Sequence, residues 1–192
     1  MDQAVLFVKA DNFCGTAFLV SPDGYAITCN HVIEGASEIT ARLRIKGRLG
    51  GADSFHKCEV INARKDLDLA LIKLQDGENF PYLRLAPADR EIIKGEEYML
   101  SGYPFGEMMA KDITTFWGKI ASSELQTDEL GYIRYSIGGE AKRGNSGAPL
   151  VATNDGCVIG VLLGSVQNGD EQLQEEINQM RPIGYFWEEF LI

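Results

Sequence analysis

Short apolar runs separated by turn signals dominate the chain. Ala4 to Val8 is apolar and is followed by Asp11-Asn12. Gly15 to Val20 and Tyr25 to Cys29 are strand-like runs joined by Ser21-Pro22-Asp23-Gly24. In that joint proline presets φ and glycine accepts a positive φ, which predicts a tight turn. Ile39 to Ile45 alternates with period two, with Leu43 and Ile45 on one side and Arg42, Arg44 and Lys46 on the other. That is the pattern of a strand with one wet face. Further strands are predicted at Cys58 to Ala63, Leu69 to Leu74, Tyr98 to Leu100, Ile113 to Trp117, Tyr132 to Ser136, Ala148 to Ala152 and Val158 to Leu163. Turn signals roughly every ten residues are what sandwiches and barrels show. Helical signals are few. Leu173, Ile177 and Met180 recur at helical spacing in a polar stretch that Pro182 stops, predicting a helix at about residues 170–180. Phe186 to Ile192 reads as a short terminal helix. Pro87, Asp89 and Arg90 interrupt the strand rhythm, so the chain reads as all-β in two halves, 1–88 and 89–192.

Composition narrows the function. The 192 residues are 45% hydrophobic and 24% charged, which suits one globular domain or two subdomains with a common core. A net charge of −10 argues against a general nucleic-acid or anionic-membrane binder. The longest apolar stretch, Val158 to Val166, is about half a membrane span, so no transmembrane helix is expected. Met1-Asp2-Gln3 is not a basic start and no long apolar segment follows. No secretory signal is therefore read, and a cytoplasmic protein is expected. Cys14, Cys29, Cys58 and Cys157 are far apart, and His31 and His56 are the only histidines. No usual metal-site spacing arises, so neither metal nor cofactor is expected, and the thiols are expected to be reduced. Arg42, Arg44, Lys46 and Arg48 form the one basic stripe, read as the outer face of a strand.

Three segments carry candidate chemistry. In Arg143-Gly144-Asn145-Ser146-Gly147-Ala148-Pro149-Leu150 a serine lies between glycines ahead of an apolar strand. Glycines there let successive N–H groups converge on one point, the making of an oxyanion hole. In Ala26-Ile27-Thr28-Cys29-Asn30-His31-Val32 a histidine directly follows a strand, which suits a general base. In Asp66-Leu67-Asp68-Leu69 two carboxylates stand at the mouth of an apolar strand. An imidazole N–H would partner one of them and set the histidine tautomer. Alone, each segment has an ordinary explanation: a polar loop, a structural histidine, a solvated aspartate.

Taken in order, the segments resemble the trypsin-like (chymotrypsin-fold) serine peptidases, and most closely the HtrA/Deg-type bacterial branch. Gly15-Thr16-Ala17-Phe18-Leu19-Val20, Asp23-Gly24-Tyr25-Ala26-Ile27-Thr28 and Asn30-His31-Val32 are similar to its first hairpin and histidine. Asp68-Leu69-Ala70-Leu71-Ile72-Lys73 is similar to its aspartate strand, and Gly102-Tyr103-Pro104-Phe105-Gly106 to its glycine-proline-phenylalanine turn. Gly144-Asn145-Ser146-Gly147 and Val158-Ile159-Gly160-Val161 are similar to the serine turn and the strand behind it. The resemblance runs over residues 4 to 165. It implies two six-stranded antiparallel β-barrels with a cleft between them and a short C-terminal helix. His31 and Asp68 would lie on the first barrel and Ser146 on the second, with Asp66 the competitor of Asp68. Gly144 and Ser146 N–H groups would form the oxyanion hole.

The resemblance also implies a substrate cleft. Glu140 would stand at the floor of the primary pocket and Arg143 beside the oxyanion hole. Leu163, Gly164 and Ser165 would pair with an extended substrate, and Gly184 would close the pocket. Asn145 departs from the aspartate of digestive-type enzymes, and Ala148 replaces a glycine common after the serine. No peptide-binding PDZ module is expected. The implied activity is serine endopeptidase, with a protein or peptide substrate and no nucleic acid or membrane partner. By analogy it would act on particular partners in a signalling or defence cascade, with activation by a protein partner as one route. A catalytically silent binding module on the same fold is the alternative.

Overall fold

The computed structural model describes residues 1–43, 54–105, 113–122, 126–139, 142–167 and 176–190. Six strands form the first barrel: β1 (Val5–Ala10), β2 (Phe13–Leu19), β3 (Tyr25–Thr28), β4 (Ile39–Leu43), β5 (Ser54–Arg64) and β6 (Leu69–Leu74). They close in the order β1-β2-β3-β6-β5-β4, all antiparallel. The second half contains β7 (Glu97–Gly102), β8 (Thr114–Ile120), β9 (Gln126–Thr127), β10 (Ile133–Gly138), β11 (Pro149–Ala152), β12 (Val158–Gln167) and β13 (Glu176–Pro182). Its sheet runs β13-β12-β11-β7-β8-β10, and pairing of β10 with β13 closes it into a second six-stranded barrel. β9 is an appendage on β10. Near-continuous apolar runs supply the core: Val5, Leu6, Val8, Ala17, Phe18, Leu19, Ile27 and Ile72 are fully buried.

The segment between the barrels ties them together. Leu83 N–H donates to Leu19 O of the first barrel. Val158 N–H donates to Arg84 O, and Ala86 N–H donates to Val158 O. One connecting stretch thus bonds both barrels. Across the seam the Phe7 and Tyr103 rings meet edge to face at 5.7 Å.

One expectation is corrected. Residues 176–180 do not continue a helix: they belong to β13, while 168–175 lie outside the described residues. β13 is bonded on both sides, with Met180 opposite Leu162 of β12 and Tyr135 of β10. Its buried positions include Asn178, Gln179 and Arg181, so a central strand carries a polar sequence that hid its period. Arg42 occupies a half-buried position alternating with the buried ones of β4, over the Phe7 and Tyr103 rings at 5.1 and 5.7 Å; Arg44, Lys46 and Arg48 are outside the described residues. Two short helices occur, α1 (Asn30–Ile33) and α2 (Gly184–Glu189). No helix among the described residues is long and apolar enough to cross a membrane. The four cysteines are unpaired.

Leu19 has no exposed surface and lies at the end of β2 away from Thr16. Leu19→Ala is expected to cost about 2–5 kcal/mol in denaturant unfolding, through lost burial and the cavity left behind.

Candidate active site

The turn carrying Ser146 is shaped by two left-handed glycines, Gly144 at φ +94° and Gly147 at φ +86°. Thr16 of β2 fastens it to the first barrel. Its N–H donates to Ser146 O at 2.9 Å, and its Oγ1 donates to Gly144 O at 2.7 Å. Thr28 Oγ1 in turn donates to Thr16 O at 2.8 Å. A Cβ at residue 147 would lie 2.1 Å from Thr16 O and 2.6 Å from Thr28 Oγ1, so only glycine allows this approach. Arg143 C=O accepts the Phe105 N–H at 2.5 Å. The Gly144 N–H, on the opposite side of that planar peptide, therefore faces away from Phe105. Neither Gly144 N–H nor Ser146 N–H bonds a backbone carbonyl among the described residues. Asn145 between them is fully buried, and neither atom of its amide has a partner there.

The base is set by the end of β3. The chain turns into α1 after Thr28, so the His31 backbone is held on a rigid element. His31 N–H donates to Asp68 Oδ1 at 2.9 Å, and His31 Nδ1 lies 2.7 Å from Asp68 Oδ2. A carboxylate can only accept, so Nδ1 carries the proton and Nε2 is the basic nitrogen. The hydrogen bond that His31 donates to Asp68, aided by the charges of Asp68 and Glu34, raises the His31 pKa above the ordinary imidazole value against the opposing effect of burial. Asp68 adopts φ +54°, a conformation rare for a residue with a side chain but tolerated by aspartate. Gly15 brings the two halves together. A Cβ there would lie 2.7 Å from the Val32 methyls of α1 and 3.1 Å from Ser146 O. Among the described residues no hydrogen bond joins Ser146 Oγ to His31.

Asp66, the competing carboxylate, is occupied elsewhere. Arg64 donates to both its oxygens, at 2.9 and 2.6 Å, and Tyr132 Oη donates to Oδ2 at 2.9 Å. Arg64 above all holds the Asp66 pKa well below the usual carboxylate range. Among the substrate-cleft candidates, Gly164 has φ +132° and lies beneath the serine, its Cβ position 3.7 Å from Ser146 Oγ. Leu163 and Ser165 continue β12 on either side of it. Arg143 is exposed. Glu140 lies outside the described residues. Gly184 does not join this group: it opens α2 against Ala88 O and lines a separate cavity of about 210 Å³ with Ala86, Pro87 and Ile159. β13 ends at Pro182, and the chain then leaves the serine for the connecting segment.

Cys29, His31 and Asp68 offer ligand atoms within 4.8 Å of one another. The geometry suits protons better than a metal. His31 and Asp68 already bond each other, and Cys29 donates to Leu162 O at 3.2 Å. Burial foremost, and then the Asp68 charge, push the Cys29 thiol well above its ordinary pKa. Sequence reasoning missed Thr16, which looks like an ordinary strand residue, and Arg181 with Asp128, which a polar helix would have left on the surface. Arg181 is 2% exposed and pairs with Asp128 at 2.8 Å. Breaking such a buried pair costs about 3–5 kcal/mol.

Two antiparallel barrels, with a histidine–aspartate pair on one and a glycine-bracketed serine on the other, define the class of the chymotrypsin-like double barrels. Residues 15–161 match the family model described as "Trypsin-like peptidase domain", and the chain belongs to that family. It is 32% identical over 150 residues to a "Probable periplasmic serine endoprotease DegP-like" of Pseudomonas putida, covering 77% of this chain and 28% of that protein. A protein of the same description from Chlamydia pneumoniae is 33% identical over 147 residues, with the same coverages. The chain thus spans little more than a quarter of these relatives. Among solved structures, the serine endoprotease from Yersinia pestis aligns with a TM-score of 0.77 at 23% identity, over 98% of this chain and 62% of that one. The MamO protease domain from Magnetospirillum magneticum aligns with a TM-score of 0.79 at 19% identity, over 97% and 95%. These likenesses establish the fold. The expectation of a cytoplasmic protein is corrected by the relatives, which are named as periplasmic. Free thiols and the character of the first few residues do not encode a compartment.

Because Asp68 stabilises the imidazolium, His31 loses its proton only above the ordinary value of 6.5. Any activity that needs neutral Nε2 therefore rises with pH through a midpoint above 6.5. Asp68→Asn is expected to lower the His31 midpoint, followed by NMR titration with His56 as the internal comparison.

Proposed function

We propose that the chain is a serine endopeptidase unit, residues 1–88 and 89–192 forming its two halves, that cleaves protein or peptide substrates through Ser146, His31 and Asp68. The observation that carries this is the His31 Nδ1–Asp68 Oδ2 contact of 2.7 Å, which leaves Nε2 as the basic nitrogen. In the reaction His31 Nε2 takes the Ser146 hydroxyl proton as Oγ attacks the scissile carbonyl. It then passes that proton to the leaving amine, and water releases the acyl group by the same route in reverse. Asp68 keeps the ring oriented and stabilises the imidazolium. Gly144 and Ser146 N–H groups receive the oxyanion, each such donor being worth about 3–4 kcal/mol.

The substrate would add as a strand. β11 pairs with β12 only as far as Val161, and from Gly164 onward the described pairing of β12 is with β13. Leu163, Gly164 and Ser165 therefore offer an edge beside Ser146 for an extended peptide. Arg143 stands at the mouth of the oxyanion turn, where it would meet an acidic substrate group, and Glu140 would give a preference for basic residues in the primary pocket. The names of the relatives support a periplasmic setting. They lend nothing to a dedicated signalling or defence cascade.

A fluorophosphonate probe tests this proposal. Wild type is expected to form a covalent adduct at neutral to alkaline pH, and Ser146→Ala none. His31→Ala and Asp68→Asn are each expected to slow labelling by about 10³-fold or more. Wild type that is folded but never labels would favour the silent binding module.

A further inference from the structure

A guanidinium with 2% exposure must find partners for its donors inside the protein. Arg181 on β13 finds them in both barrels. Nε donates to Leu67 O at 2.9 Å, Nη1 to Ile133 O at 3.0 Å and Nη2 to Asp128 Oδ2 at 2.8 Å. The first acceptor belongs to the first barrel and the other two to the second. The guanidinium carbon lies 5.9 Å from the ring centres of both Tyr132 and Tyr185.

The first of these bonds bears on catalysis. Leu67 C=O and Asp68 N–H belong to one planar peptide, whose tilt sets the φ of Asp68. Arg181 holds the carbonyl side of that plane, and Lys65 O accepts the N–H side at 3.2 Å. Asp68 stands at φ +54°, where a residue with a side chain stays only if its surroundings hold it there. A second tie lies one residue further back. Tyr132 Oη, from the second barrel, donates to Asp66 Oδ2 at 2.9 Å, and Arg64 grips both Asp66 oxygens while also pairing with Glu189 of α2.

We propose that Arg181 is a positioning residue that holds the Leu67–Asp68 peptide so that the Asp68 carboxylate faces His31, making the acid–base pair of the first barrel depend on the docked second barrel. This rests on the peptidase proposal only for its consequence in catalysis. Arg181 touches neither His31 nor Ser146 through any hydrogen bond and acts through Asp68. The charged and titratable groups around the device are Asp66, Arg64, Asp128, Glu189, Tyr132 and Tyr185 on the Arg181 side. Glu34 and the Cys29 thiol stand on the His31 side.

The test is the NMR pH titration of His31 in Arg181→Lys and Arg181→Gln, with His56 as internal comparison and circular dichroism to verify folding. A lysine keeps the charge opposite Asp128 but has no fork to reach Leu67 O and Ile133 O together. Both variants are expected to titrate at His31 at lower pH than wild type, while His56 is unmoved. Fluorophosphonate labelling is expected to slow by about 10- to 100-fold, as for a small misplacement of a catalytic group. Leu19→Ala, destabilised in a distant part of the first barrel, is expected to keep the wild-type His31 midpoint. Folded Arg181 variants with an unmoved His31 midpoint would overturn the proposal, as would a shift equal to that of Leu19→Ala. If neither Arg181 variant folds, Tyr132→Phe, which removes the second-barrel hydroxyl bonded to Asp66 of the same loop, must lower the His31 midpoint, and no change there overturns it too. The titration reads the His31–Asp68 contact without turnover. A wild type that fails to label would thus defeat the peptidase proposal and leave this one to its own measurement.

Discussion

The serine turn and the first barrel approach so closely that one carbonyl, Thr16 O, leaves no room for a side chain at residue 147. That contact organises much of what surrounds it. Thr16 also takes the carbonyls of both Ser146 and Gly144, while the N–H groups of the same two peptides, at Gly147 and Asn145, donate to Leu162 O and Lys142 O. Gly15, its neighbour, receives the Val32 methyls from the helix that carries His31. Two adjacent residues of β2 thus set the serine turn against the helix bearing His31. Glycines at 15 and 147 and a small hydroxyl at 16 are what the geometry requires, because a backbone-to-backbone approach tolerates no bulk.

Electrostatics within the seam separates two aspartates that look alike along the chain. Asp66 and Asp68 lie two residues apart, yet one is neutralised by Arg64 and bonded by Tyr132, while the other bonds His31 twice. The division follows from backbone direction. The left-handed turn at Asp68 points its carboxylate back toward α1, whereas Asp66 faces the second barrel. Burial acts on Cys29 in the opposite sense, keeping it a neutral thiol next to a carboxylate. The cluster therefore carries one negative charge and one mobile proton, an arrangement suited to a base that must alternately accept and return a proton.

Of the thirteen strands among the described residues, eleven were legible as apolar runs between turn signals, because strands such as β1, β6 and β11 are buried along nearly their whole length. The two missed strands have physical reasons. β9 is two residues long, too short for any period. β13 is central, but several of its buried positions are polar: Asn178 donates to Gly139 O, and Arg181 is met by Asp128 and two carbonyls. Hydrophobic patterning detects burial through apolar residues and is blind where burial is purchased by hydrogen bonds. The short helix under His31 was likewise invisible, as four residues hold barely one turn.

Residue order alone determined that the chain is a two-part β protein with a histidine, an aspartate and a glycine-bracketed serine at the ends of predictable strands. It determined those points because turn chemistry and strand alternation are local properties. The tertiary structure decided which aspartate meets His31, that Gly184 turns away toward the connecting segment, and that Arg181 lies between the barrels. Each of these depends on groups far apart in the chain. Asp68 is chosen by a helix 37 residues earlier, and Leu67 is held by a guanidinium 114 residues later. Such contacts exist only after both barrels close and dock, so no local pattern can record them.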